Sequence, residues 1–264
     1  MNRRTFSTAL LAGAATSTIG IRSEVAAAAS NQVPAIRNAV LIHGLYADGS
    51  SWSDVITRLQ SAGMRATAVQ TTLRSFADDL ALTRLVLDMQ DGPTVLVAHS
   101  FGGMILSEAG IHPKVSSLVY VAARAPDANE NYAQLAARFP KPPASAGLVT
   151  INGLQQLNET AFLNDFANGV DPVKARLLYA VQAFNSATLP ATARTTVAAW
   201  RSKPSWYAVS KQDRTINPDL ERFMAARMKA TTIELDTGHL SLVSHPQQIS
   251  DLILAAANGN AKSS

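Results

Sequence analysis

The sequence predicts an α/β fold: a mostly parallel, doubly wound sheet of about six strands with an inserted helical cap. Three observations lead there. From about Asn38, short continuous apolar runs alternate with longer amphipathic ones; the rhythm stops near Pro126 and resumes near Trp206; and one apolar run ends in a serine set among small residues, just before a helical pattern begins. Strands that are apolar throughout and separated by helix-length segments belong to parallel sheets covered on both faces.

Ala39-Val40-Leu41-Ile42 reads as the first buried strand and Trp52 to Leu59 as the first helix. Thr67-Ala68-Val69, Thr94-Val95-Leu96-Val97 and Ser117-Leu118-Val119-Tyr120-Val121 follow as strands, with helices over Phe76 to Met89 and Met104 to Gly110. Between 128 and 200 the patterns look helical and the connections carry Pro140, Pro142, Pro143, Pro172 and Pro190, which we read as the cap. Trp206-Tyr207-Ala208-Val209 resumes the sheet. A helix from Pro218 to Met228, a strand at Thr232-Ile233-Glu234-Leu235 and a helix from Pro246 to the Asn258-Gly259 stop complete it. The core is thus expected over 30–127 and 201–259, with a disordered tail over 260–264.

Residues 1–29 read as an export signal. Arg3-Arg4 with Phe6 resembles the twin-arginine class, and an apolar stretch from Ala9 to Ile21 leads to the alanines Ala26 to Ala29. About 13 apolar residues are too few for a ~30 Å hydrocarbon core, so no stable membrane insertion is expected after the signal is removed. The expected location is the periplasm or the exterior. The formal net charge is +4; losing Arg3, Arg4, Arg22 and Glu24 with the signal leaves an excess of about +2, too small and scattered to argue for nucleic acid. With no cysteine, disulfides, thiolate metal sites and a cysteine nucleophile are excluded.

Ala98-His99-Ser100-Phe101-Gly102-Gly103 has the form of a nucleophile elbow, G-x-S-x-G with Ala98 in place of the first glycine; small residues on either side let the backbone turn sharply and present the Ser100 hydroxyl. With Ile42-His43-Gly44-Leu45, Gly49-Ser50-Ser51-Trp52, Thr237-Gly238-His239 and Ser244-His245-Pro246, the chain from Val40 onward resembles the α/β-hydrolase superfamily. Within it the chain resembles the small bacterial esterases related to plant methylesterases and hydroxynitrile lyases.

The resemblance implies the chain order Ser, acid, His and a reaction on carboxylic esters. A serine needs a histidine base, and His239, a few residues past the last strand, is the expected one; His43 and His99 are expected to support loops, His112 to lie at a helix end and His245 to stiffen a helix entry. Asp213, directly after the Trp206–Val209 strand, is the expected acid, with Asp127 as the alternative. The backbone N–H groups of Phe101 and Leu45 are the expected oxyanion donors. For the substrate pocket, Tyr46, Phe101, Phe162, Phe166 and Trp200 are candidates among the aromatic residues, fitting a small apolar or aromatic ester.

No phosphate loop, dinucleotide fingerprint or metal-ligand spacing occurs, so no cofactor or metal is expected. Rival activities are a cyanohydrin lyase, which in the plant relatives carries threonine where this chain has Gly44 and lysine where it has Leu240, and a cofactor-free perhydrolase or haloperoxidase. A non-catalytic ligand receptor is the rival of another class. Nothing in the sequence speaks to oligomeric state.

Overall fold

The computed structural model describes residues 34–259; the expected signal peptide and the tail from Asn260 lie outside them. The strands, in chain order, are β1 (Asn38–Ile42), β2 (Arg65–Val69), β3 (Thr94–His99), β4 (Val115–Val121), β5 (Leu148–Ile151), β6 (Leu154–Leu157), β7 (Asn185–Ser186), β8 (Ser205–Ser210) and β9 (Thr231–Leu235). Six of them form one sheet in the order β2-β1-β3-β4-β8-β9, every neighbouring pair parallel. β1, β3 and β8 are buried at every residue, which is why their sequences read as unbroken runs, whereas the edge strands β2 and β9 are only partly covered.

Helices cover both faces. The helices α1 (Ser53–Ser61), α2 (Phe76–Asp88) and α3 (Gly102–Ala109) alternate with the first four strands. α1 packs against the last helix, Pro246–Ala257, and α2 packs against α3. α1 turns Val55 and Leu59 inward, one helical turn apart. α3 is buried at all eight of its residues, as suits its apolar Met104-Ile105-Leu106 centre.

This order positions the site. From β1 the chain moves out to β2 and then returns to β3 on the other side of β1. The connections leaving β1 and β3 therefore diverge, and the crevice between them, outside the carboxyl ends of the strands, is where open α/β sheets bind ligands. Because all six strands are parallel, the loops after β8 and β9 emerge at the same edge.

The segment 128–200 departs from the expected helical cap. It holds short helices, Tyr132–Ala136 and Pro172–Ala180 among them, but also a three-stranded antiparallel sheet in the order β5-β6-β7. β5 and β6 form a hairpin closed by Asn152-Gly153, both with positive φ (50° and 77°), the backbone a two-residue hairpin turn demands. β7 is tied to the core where Ser186 N–H donates to the Leu73 carbonyl at 2.8 Å. Between β6 and the helix Pro172–Ala180 lies a π-helical turn, Phe162–Phe166, in which Ala167 N–H reaches the Phe162 carbonyl at 2.7 Å. Such turns are uncommon and concentrate at functional sites.

Candidate active site

Ser100 directly follows β3 with φ 53°, in the left-handed region that costs a non-glycine residue energy and survives only where its surroundings hold it. Three hydrogen bonds do so: Ser100 N–H donates to the Val121 carbonyl (3.2 Å), and the Ser100 carbonyl accepts from Gly103 N–H (3.1 Å) and Arg124 N–H (2.9 Å). The turn is tight enough that a Cβ on Gly103 would stand 2.2 Å from the Arg124 carbonyl oxygen. Phe101 opens α3, and among the described residues the loop hydrogen bonds leave its N–H, and that of Leu45 after β1, without an acceptor. Gly44 faces the serine: a Cβ there would lie 2.6 Å from Ser100 Cβ and 3.2 Å from Ser100 Oγ.

His239 lies on the loop after β9 and is fully buried. Its Nδ1 is 2.5 Å from Asp213 Oδ2. Since a carboxylate only accepts, Nδ1 carries the proton, which leaves the Nε2 lone pair free; Nε2 is buried and has no partner among the described residues. Asp213, on the loop after β8, is itself held by Thr215 N–H (2.6 Å) and Ile216 N–H (2.8 Å) on Oδ1. Asp127 stands elsewhere: its carboxylate pairs with Arg201 and accepts from Ala128 N–H. The acid beside His239 is therefore Asp213, as its place after the penultimate strand of the sheet implies.

The other histidines divide by environment. His99 donates through Nε2 to the His239 carbonyl oxygen at 3.0 Å, with ring centroids 4.5 Å apart. Burial, and next the neighbouring His239, hold its pKa well below the usual histidine range, so His99 stays neutral and braces the His239 backbone without adding a competing charge. His43 is also lowered by burial; its Nδ1 reaches the Gly44 carbonyl (2.9 Å) and its Nε2 accepts from Thr71 N–H (3.2 Å), which fixes the loop after β1. His112 pairs with Asp88 at 3.0 Å, and His245 contacts Ser244 Oγ at the entry to the last helix.

The π-helical turn brings aromatic rings to this cluster. Phe166 lies 5.3 Å from the His239 ring and 5.9 Å, edge-on, from Tyr46, and Phe162 lies behind it, tilted, at 5.0 Å. A narrow, mostly apolar cleft lies beside them, lined by Tyr46, Ala47, Phe162, Phe166, Leu178 and Leu240 among others. Tyr46, Phe162 and Phe166 are thus gathered around the cluster, whereas the Phe101 ring, next in the chain to Ser100, lies under Arg124 and does not line the cleft. Trp200 stands apart from the cluster: its Nε1 donates to the Pro126 carbonyl at 3.0 Å and its ring lies against Arg201 and Arg227, so it packs the base of the cap.

Two charged residues next to the cluster escape a reading by motif. Glu221, fully buried on the helix Pro218–Arg227, accepts from Ser210 N–H at 3.1 Å on Oε2, while its Oε1 has no hydrogen-bond partner among the described residues. Burial, and next the charge of Asp213, push its pKa well above the ordinary glutamate range. Its signal was local: it falls within the apolar stripe Leu220, Met224, Ala225 and Met228. Arg124 is a lone charge among Ala122, Ala123 and Ala125 just past β4, and its N–H is bound to Ser100.

The family model described as "Alpha/beta hydrolase family" matches residues 39–252. Methylesterase 2 of Arabidopsis thaliana is 28% identical over 250 residues, covering 83% of this chain and 95% of the relative. The alpha-hydroxynitrile lyase of Arabidopsis thaliana is 26% identical, covering 83% and 96%. Among solved structures, polyneuridine aldehyde esterase superposes with a TM-score of 0.72 at 20% identity, over 83% of this chain and 98% of that one. With a family match that spans the six-stranded sheet from β1 to β9 and the loops bearing Ser100, Asp213 and His239, the chain belongs to the alpha/beta hydrolase family.

Proposed function

We propose that the protein hydrolyses small carboxylic esters through an acyl-enzyme on Ser100. The observation that carries this reading is the fully buried His239, its Nδ1 bound to Asp213 and its Nε2 unpartnered, at the strand edge where Ser100 is held in a strained turn. The methylesterase relatives support ester hydrolysis in general. His239 Nε2 takes the Ser100 proton as Oγ bonds to the ester carbonyl carbon, and the carbonyl oxygen becomes an anion facing the N–H groups of Leu45 and Phe101. Each such donor is worth about 2.7–4 kcal/mol in comparable sites. The C–O bond to the alcohol then breaks, with His239 giving the alcohol its proton, and water repeats the sequence on the acyl-enzyme to release the acid. No cofactor enters this scheme.

The lyase reading has less support. The space a threonine side chain would need at Gly44 is taken by Ser100, and Leu240 supplies no cation after His239. In the proposed complex the small apolar part of the ester lies against the Tyr46 and Phe166 rings beside His239.

Ser100→Ala tests the proposal. The variant should fold, since one hydroxyl in a loop is lost, while kcat on any ester the wild type turns over falls by about 10⁴–10⁶. An organophosphonate should label the wild type on the peptide containing His99-Ser100-Phe101. A folded variant retaining a tenth of wild-type kcat, or a label elsewhere, overturns the mechanism.

A further inference from the structure

Arg124 is a half-buried cation at the carboxyl end of β4 with no carboxylate partner among the described residues. Its Nε is buried and makes no hydrogen bond there. That is an unusual state for an arginine, which is normally exposed or paired because removing its charge from water is costly. The other partly covered arginine near the cap, Arg227, has a bidentate partner in Glu130. Arg124 instead rests against two aromatic faces, 5.3 Å from the Phe101 ring centroid and 4.7 Å from that of Tyr132. Stacking of this kind holds the guanidinium plane while leaving its edge N–H donors free for another group.

The position is tied to the nucleophile. Arg124 N–H donates to the Ser100 carbonyl, and Phe101, on which the guanidinium lies, is the residue after Ser100. The field of Arg124 also reaches Tyr46, on the loop after β1: burial pushes the Tyr46 hydroxyl up to about 12, and Arg124 is the charge that opposes this. The cation thus acts on both walls of the crevice, the Phe101 side and the Tyr46 side.

We propose that Arg124 is a specificity-determining residue for the substrate's anion, so that the ester this protein takes carries a carboxylate which pairs with the guanidinium while its ester carbonyl sits on Ser100. The substrate class is then a half-ester of a dicarboxylic acid, or an ester whose alcohol bears a carboxylate. This rests on the esterase reading above. A carboxylate meets the free edge of a stacked guanidinium with two parallel hydrogen bonds and neutralises the unpaired charge, whereas a neutral ester leaves the cation without a partner.

The test compares shape-matched pairs: monomethyl terephthalate with methyl 4-carbamoylbenzoate, and monomethyl adipate with its mono-carboxamide. Product acid is measured by chromatography on the mature protein. For at least one pair, wild-type kcat/KM should favour the carboxylate by about tenfold to a hundredfold, the range of one charge-assisted pair. That ratio, not either rate alone, should collapse towards one in Arg124→Gln, survive in part in Arg124→Lys, and shrink with added salt in the wild type. A wild type that prefers the carboxamide in every pair, or a ratio equal in the wild type and Arg124→Gln, overturns the proposal. If Arg124→Gln does not fold, Arg124→Lys and the salt series carry the test, and a salt-independent ratio counts against it. If no ester is turned over at all, the esterase reading fails by itself; binding of terephthalate against terephthalamide to the Ser100→Ala protein then decides Arg124, with no preference for the diacid overturning it.

Discussion

At the residue scale, the distance from Gly44 to Ser100 makes a prediction that separates activity from stability. A Cβ at 2.6 Å from Ser100 Cβ is closer than any relaxed contact, so Gly44→Ala must displace either the serine or the loop that presents Leu45 N–H. Misplacing reacting groups by about 1 Å costs on the order of 10² in rate. The variant should lose about that in kcat on a simple ester while its melting temperature stays within a few degrees, because the strain falls on two loops rather than on the sheet; an unchanged kcat would show that the loop relaxes freely. At this scale the sequence was legible for groups whose place in the fold follows from chain position. Ser100, Asp213 and His239 each follow a strand. It was illegible for Arg124, Glu221 and Trp200, whose surroundings are made by segments far away in the chain: Glu221 lies behind Asp213 because its helix packs on β8, and Trp200 meets Pro126 across 74 residues.

At the element scale, the loops after β3, β8 and β9 bring three side chains to one edge, and the loop after β4 carries the rival acid to another partner. Asp213→Asn should lower kcat by about 10⁴, since His239 loses the acceptor that fixes its tautomer and stabilises its cation. Asp127→Asn gives up a partly exposed pair with Arg201, a type of contact worth little, and should leave kcat within about threefold. Reversed outcomes in steady-state kinetics would move the acid to the β4 loop. The six strands of the main sheet were readable because parallel strands buried on both faces are apolar without interruption. The cap sheet was not anticipated, although Asn152-Gly153 between Leu148–Ile151 and Leu154–Leu157 is a hairpin signal. Its strands are short and carry Gln155 and Gln156, and the proline-separated segments around them have helical spacing, so the local pattern was outweighed by its surroundings.

At the scale of the whole molecule, a buried glutamate near Asp213 with a raised pKa makes folding stability depend on pH in a defined direction. In the unfolded chain Glu221 ionises near its ordinary value of 4.5, while in the folded protein burial and the Asp213 charge hold the proton to a higher pH. Below pH 4.5 both states are protonated and Glu221 contributes no slope. Above it the folded state binds the proton that the unfolded state has released, so stability falls with rising pH until the folded carboxyl ionises too. Other groups add their own slopes: Asp79 is raised by burial, and Asp127 is lowered chiefly by its hydrogen bond from Arg201. A comparison of the wild type with Glu221→Gln isolates this one. The amide oxygen keeps the bond from Ser210 N–H, but the amide cannot ionise. In urea unfolding at pH 4, 6 and 8, the two proteins should be nearly equal at pH 4, with the variant gaining at most about 1.4 kcal/mol per pH unit above 4.5. A gap that is constant with pH would mean that Glu221 has an ordinary pKa in the folded protein, and a variant that loses ground as pH rises would mean that the buried carboxylate, rather than the acid, stabilises the fold behind Asp213.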